Sequence, residues 1–379
     1  MQTELLKSLY KSHKETSLFG RYIHATSIFH LLDNDNIKPF VDCIGTSVNN
    51  ENIHSITLGT GSKKILMWSQ MHGNESTTTK AVFDMLNVLI ASEQLSKRVL
   101  DACTLKIIPI LNPDGAKAYT RLNANGIDLN RDAKNLSQPE SQVLRKVFDT
   151  FKPDYCFNLH DQRTIYNVEA TNNPATISFL APAQDKDCTI TDTRKKAMEI
   201  IAVMNTNLQK QIPNQVGIYD DAFNINCVGD TFQSLNTPTI LFEAGHFQED
   251  YDREVTREFI FQSLMTAIQY ISETNITGSN HKNYLQIPRN EKLFYDIIIR
   301  NTSKQDIGIL YNEKLRDESI EFIPKIEKIY DLSTFYGHKE IDARGHEVLF
   351  TDNNNLVEGN ENDFVLINNE KSSLKLKNN

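Results

Sequence analysis

The chain reads as an α/β protein with a mixed, mostly parallel central sheet, helices on both faces, and a small C-terminal β domain. Two observations predict the first part. Short apolar runs of strand length, such as Ile65-Leu66-Met67-Trp68 and the run at 105–111 with Ile107, Ile108 and Ile110, recur along the first 270 residues. Runs that are nearly all apolar suit strands buried on both faces. Between them lie longer stretches with apolar residues at helical spacing, as in Ala81, Val82, Met85, Leu86, Val88 and Leu89. Strand and helix in alternation imply a sheet covered on both sides. A third observation predicts the appendage. Past Ile271 the helix signals fade, and short β-type runs appear at 294–300, 307–311, 347–350 and 364–367.

In chain order, residues 1–36 look mainly helical and charged. Residues 43–62 alternate polar and apolar, with turn residues at Asn49-Asn50 and Gly59-Thr60-Gly61-Ser62. That pattern predicts a hairpin feeding the buried strand at 64–71. A helix is expected over 76–95. The strand at 105–111 is broken by Asn112-Pro113-Asp114-Gly115. Pro139 opens another helix, running to about 151, with Glu140 in the first turn where negative charge suits the dipole. A strand over 155–159 leads to His160, and further strands are expected at 177–181 and 239–242. The stretches 191–211 and 253–272 read as amphipathic helices. The polar, glycine-containing stretch 272–283 reads as a linker. The resulting division is a domain over 1–275, a β domain over 284–370 and a flexible tail over 371–379.

The formal net charge is -9, without a basic cluster or interleaved aromatics, which argues against a nucleic-acid partner. No stretch approaches the ~20 apolar residues that span a bilayer, and the first residues carry no basic-then-apolar leader. Five scattered cysteines without a Cys-x-x-Cys pair fit reduced thiols and a cytoplasmic setting. Cys103 and Cys156 fall in strand-like runs and are expected in the core.

Chemistry concentrates at strand ends. His72-Gly73-Asn74-Glu75 follows the first buried strand, and His160 follows another in Asn158-Leu159-His160-Asp161. Two imidazoles and a carboxylate make the donor set of a catalytic zinc site, which keeps one position open for water. Glu243, in Leu241-Phe242-Glu243-Ala244-Gly245-His246, lies at a third strand end. In open parallel sheets such ends border one crevice. His72, Glu75 and His160 are therefore the expected ligands of one zinc per chain. Glu243 stays free to take a proton from the attacking water. Between them, Arg121 and Arg131 bracket the asparagine- and glycine-rich loop Leu122-Asn123-Ala124-Asn125-Gly126-Ile127-Asp128-Leu129-Asn130. Guanidinium groups clamp carboxylates or stabilise a developing oxyanion.

Taken together and in order, His72-Gly73-Asn74-Glu75, Asn112-Pro113-Asp114-Gly115, Arg121 with the 123–131 loop, Asn158-Leu159-His160 and Phe242-Glu243 resemble the zinc carboxypeptidases of the M14 family. The resemblance covers about 45–270. It implies that His72, Glu75 and His160 hold zinc, that Glu243 is the general base, that Arg121 polarises the scissile carbonyl, and that Asn130 and Arg131 hold the terminal carboxylate. The implied substrate is a peptide or small amide with a free carboxylate; the oligomeric state is left open. Two places depart from the family. Asp161-Gln162 follow the second histidine, where an effect on the substrate subsites is expected. The family's mobile tyrosine has no clear counterpart among Tyr219, Asp221 and Phe232. The related aspartoacylase and succinylglutamate desuccinylase branch, which cleaves N-acyl amino acids and carries a small C-terminal β domain, is an alternative. Bacterial cell-wall peptide amidases are another. An inactive binding module predicts a missing ligand or base, and none is missing from the sequence.

Overall fold

The computed structural model describes residues 2–91, 94–350 and 354–376. They divide into two compact units: residues 2–162 with 175–290, and residues 163–174 with 291–376.

In the first unit eight strands form one sheet: β1 (Val41–Thr46), β2 (Asn52–Leu58), β3 (Lys63–Trp68), β4 (Cys103–Ile108), β5 (Tyr155–Asp161), β6 (Ile177–Leu180), β7 (Val216–Ile218) and β8 (Thr239–Ala244). Their spatial order is β1-β2-β4-β3-β5-β8-β6-β7. The central four run parallel. β1 and β2 are the expected hairpin, and β2 adds antiparallel to β4. β6 is antiparallel to β8 and parallel to β7. From β3 the chain moves to β4 on one side and later returns to β5 on the other. The boundary between β3 and β5 is thus the switch point at which such sheets open a crevice.

The helices are α1 (Thr3–His13), α2 (Ala25–Leu32), α3 (Thr77–Ile90), α4 (Gln94–Ala102), α5 (Pro113–Ala118), α6 (Pro139–Phe151), α7 (Asp192–Leu208), α8 (Val228–Ser234) and α9 (Glu254–Glu273). Strand alternation sorts the core into two faces. Ile65, Met67, Phe157, Leu159 and Phe242 join side chains of α1, α3, α7 and α9 in one cluster. Leu66, Trp68, Ile108 and Cys156 join Leu144, Val147 and Phe148 of α6 and Val228 and Phe232 of α8 in another. Cys103 and Cys156 are both fully buried. α3 is so enclosed that its polar residues need partners. Asp84 meets Arg257 at 2.7 Å, with both side chains 0% exposed, and Lys80 meets Glu254 at 2.5 Å.

Several expectations shift. The helix expected over 76–95 ends at Ile90, and α4 begins at Gln94; residues 92–93 lie outside the described residues. Asn112-Pro113-Asp114-Gly115 ends a strand as expected but also starts α5. Asn112 Oδ1 accepts from the Gly115 N–H at 2.9 Å, and Pro113 occupies the first turn, where a missing N–H costs nothing. The expected linker at 272–283 is partly anchored. Ile276, Tyr284 and Ile287 are buried in the first unit, and the change of unit comes after Asn290. No helix among the described residues is long and apolar enough to cross a membrane.

The second unit carries β9 (Phe294–Arg300), β10 (Asp306–Arg316), β11 (Ser319–Tyr330) and β12 (Tyr336–Asp342) in the order β11-β10-β9-β12. β13 (Val348–Leu349), β14 (Phe364–Ile367) and β15 (Glu370–Ser373) form a small sheet. Ile297, Ile299, Ile309, Ile326 and Val365 share its core. It also holds an inserted segment: His338 Nε2 lies 2.8 Å from Thr164 O, the Phe294 N–H donates to Ile165 O at 3.1 Å, and Tyr336 Oη donates to Ala170 O at 3.1 Å. The tail expected to be flexible from 371 instead pairs as β15 and buries Leu374, because Leu374 completes the apolar cluster; residues 377–379 lie outside the described residues.

Candidate metal centre

The first donor pair rests on a loop held by its neighbours. After β3 the chain bends at Gln70, whose φ of 42° is left-handed. The Gln70 amide donates to Ile23 O and Gly73 O, both at 2.8 Å. Asn112 Nδ2 donates to Met71 O at 3.2 Å. A Cβ on Gly73 would stand 1.9 Å from the carbonyl carbon of Gly115, so a glycine is needed for this turn to seat against the start of α5. That contact gives the Asn112-Pro113-Asp114-Gly115 segment its place: it buttresses the loop of His72 and Glu75.

The third donor and Glu243 come from adjacent parallel strands. His160 and Glu243 are register partners in β5 and β8. They are the second-last residues of their strands rather than residues past the ends. Alternation turns both toward the face of α6 and α8, because Leu159 and Phe242, their neighbours in sequence, fill the opposite core. The chain bends away under the Arg253 guanidinium, which donates to Ala244 O at 2.5 Å and to Gln162 O at 2.8 Å.

The donors converge. Ligand-type atoms of His72, Glu75 and His160 all lie within 4.8 Å of one another, and the residues are 2%, 8% and 2% exposed. Glu75 Oε1 is 2.8 Å from His72 Nδ1, Oε2 is 2.8 Å from His160 Nδ1, and the two Nδ1 atoms are 3.1 Å apart. Tetrahedral coordination at ordinary zinc distances implies donor separations of roughly 3.3 Å. A buried set of two imidazoles and one carboxylate, with separations a few tenths of an ångström shorter than that, fits a zinc ion with a small outward adjustment. Burial pushes the Glu75 carboxyl up, but the two histidines together hold it well below the usual carboxylate range. Burial also lowers His160, which favours the neutral ring that ligates metals.

Asp128 is the residue that sequence reasoning missed. Its Oδ1 lies 3.1 Å from His72 Nε2, the arrangement that fixes the tautomer and orientation of a ligating imidazole. The same oxygen accepts from the Asn130 N–H at 2.9 Å, and Oδ2 meets Arg121 Nε at 3.1 Å and an Arg121 terminal nitrogen at 3.0 Å. Burial raises Asp128, and His72 and Arg121 overcome it to hold the carboxyl well below its ordinary range. One carboxylate thus joins the metal loop to the arginine loop. Its position two residues before Asn130, in a stretch already singled out, was the available signal.

Arg121 reaches the donors directly: Nη1 is 3.2 Å from His72 Nδ1 and 3.4 Å from Glu75 Oε1. Asn130 Oδ1 accepts from the Val228 N–H at 3.0 Å, and Arg131 Nη1 donates to Cys227 Sγ at 3.1 Å, so both face the start of α8. Glu243 is 9% exposed, and its Oε2 has no hydrogen-bond partner among the described residues. Burial, with Glu75 and Asp161 nearby, pushes its carboxyl well above the usual range. A carboxyl held above its ordinary range takes up a proton more readily than a solvated carboxylate.

One expectation fails here. Asp161 does not open toward a substrate subsite: it is 7% exposed and accepts from the Thr77 N–H at 3.0 Å. Gln162 is likewise turned inward, donating to Ala175 O at 2.5 Å. Of the residues weighed for the tyrosine role, Asp221 is held by Arg194 at 2.5 Å, and Phe232 is core, stacked on Phe148 with ring centres 4.0 Å apart.

Known proteins share part of this sequence and its fold. Residues 39–224 match the family model for zinc carboxypeptidase. A stretch is 28% identical over 102 residues to carboxypeptidase 2 of Trichophyton rubrum, covering 26% of this chain and 19% of that one. Another is 35% identical over 100 residues to gamma-D-glutamyl-L-diamino acid endopeptidase 1 of Lysinibacillus sphaericus, covering 24% of each chain. The chain therefore spans about a fifth of the length of the first of these curated relatives and about a quarter of the second. Among solved structures, carboxypeptidase A from Helicoverpa armigera superposes with a TM-score of 0.52 at 15% identity, covering 71% of this chain and 80% of that one. A metallo-carboxypeptidase from Burkholderia cenocepacia gives 0.50 at 17%, covering 64% and 66%. At such identities the likeness is one of fold.

Proposed function

We propose, on the premise that the chain belongs through residues 39–224 to the zinc carboxypeptidase family, that it removes the C-terminal residue of a peptide by hydrolysing the amide beside a free carboxylate. The observation that carries this reading is the buried convergence of His72, Glu75 and His160 beside Glu243. In this reading the two imidazoles and the Glu75 carboxylate hold zinc. When bound, zinc supplies a Lewis acid and lowers the pKa of water. Glu243 takes the proton of the attacking water and passes it to the leaving amine. Arg121, beside the donors, stabilises negative charge developing on the carbonyl oxygen. Asn130 and Arg131 hold the terminal carboxylate, the guanidinium through two parallel hydrogen bonds.

A second reading, hydrolysis of a cell-wall peptide amide, is favoured by the 35% identical stretch shared with the Lysinibacillus sphaericus endopeptidase. A panel of peptides with free or amidated C-termini, cell-wall tripeptides and N-acyl amino acids separates the readings. The expected result is cleavage of free-carboxylate peptides and poor cleavage of amidated ones. Equal cleavage of both overturns exopeptidase action, and cleavage confined to the cell-wall tripeptides selects the second reading.

A further inference from the structure

Asp161 joins the two ligand-bearing segments. It follows His160 in β5, so alternation sends its side chain to the opposite face of the sheet, where α3 begins. Its Oδ2 accepts from the N–H of Thr77, the first residue of α3, at 3.0 Å. Its own backbone N–H donates to Glu75 Oε2 at 3.2 Å. The helix does not cap itself: Ser76 makes no side-chain bond to the first turn, and its hydroxyl donates to Arg21 O at 2.6 Å. The leading N–H of α3 is one of the donors that a helix cannot satisfy internally, and the positive end of the dipole favours an anion there. A carboxylate from a neighbouring strand fills that role, two residues past Glu75.

We propose that Asp161 is a positioning residue of the metal centre, fastening the turn that carries Glu75 to the strand that carries His160. This rests on the reading of His72, Glu75 and His160 as zinc ligands. The backbone contact fixes one Glu75 oxygen directly. The side-chain contact fixes the helix start behind it, and with it the backbone from which the Glu75 carboxylate reaches the two imidazoles. A cap that served stability alone would leave metal affinity untouched.

The test is zinc affinity by chelator competition on the full chain, for the parent, D161A and D161N, with thermal unfolding of the zinc-free forms alongside. D161A removes the acceptor and is expected to weaken zinc binding ~10–100-fold, the range for residues that orient ligands. D161N keeps an oxygen able to accept from Thr77 and is expected to recover most of that loss. D161S, polar but too short to reach Thr77, gives the same reading as D161A should the alanine variant not fold. A D161A or D161S protein that binds zinc as tightly as the parent while its zinc-free form melts lower overturns the proposal and leaves Asp161 a helix cap. A parent that binds no zinc overturns the metal reading beneath it instead.

Discussion

The metal cluster and the arginine loop are two halves of one candidate site, built differently. His72, Glu75 and His160 are at most 8% exposed and hang from adjacent parallel strands and the turn before a buried helix. Asp128, Asp161, Gln70 and Asn112 hold their neighbourhood through side-chain hydrogen bonds. The arginines sit on 121–131, whose regular structure is the single turn Leu129–Arg131. Arg121 is 45% exposed and Arg131 is exposed. Donors that would keep ångström spacing around a metal are fixed by the core, whereas the guanidinium groups proposed to meet the substrate stay accessible to water. Asp128 belongs to both halves.

If that division is right, perturbing the buried half should change chemistry or metal, and perturbing the exposed half should change binding, except at Arg121, whose guanidinium reaches the buried donors and should act with them. Glu243→Gln keeps the size of the side chain and should retain zinc while turnover falls roughly a hundredfold or more; near-normal turnover removes Glu243 from the mechanism. Arg121→Ala should act mainly on kcat, by about a hundredfold, as expected for a contact that strengthens with charge on the oxygen. An unchanged kcat with raised KM would mean that the two arginines exchange roles. Asp128→Asn should weaken zinc affinity by about 10-fold or more through the orientation of His72, a change read by chelator competition. Arg131→Lys should raise KM about tenfold for free-carboxylate substrates, the worth of about one charge-assisted hydrogen bond, with little change in kcat.

An effect on stability rather than on turnover or binding concerns Asp230, in the first turn of α8 beside the arginine loop. Burial raises its carboxyl from an ordinary 3.8 to about 6. The folded state therefore holds this proton more tightly than the unfolded chain does. Its contribution to stability is present below about 4 and is lost as pH rises through 6. Asp230→Asn should remove that dependence and leave the protein ~3 kcal/mol more stable than the parent at pH 7. A difference between the two proteins that stays constant from pH 4 to pH 7 in denaturant titrations would contradict the assignment.

The sequence made the buried half easier to read than the exposed one. Apolar strand runs such as Ile65-Leu66-Met67-Trp68 and helical spacing in 76–90 determine their elements locally, and polar residues at their ends stand out. The subsite role expected for Asp161 rested on its place after the second histidine and left out alternation: one position after a residue that faces the crevice, it has to face the other side. Asp128 was missed because its role depends on a loop fold set by Asn123, whose Oδ1 accepts from the N–H groups of Asn125 and Ile127. The burial of Leu374 and the grip of the second unit on 163–174 rest on contacts far apart in sequence, which no local pattern announces.

The most direct test of the central claim is anomalous diffraction at the zinc edge from crystals of the zinc-loaded protein. One peak per chain, about 2.0–2.2 Å from a ring nitrogen of His72, a ring nitrogen of His160 and an oxygen of Glu75, is the predicted result. A peak elsewhere, or these three side chains pointing to different places, would contradict it.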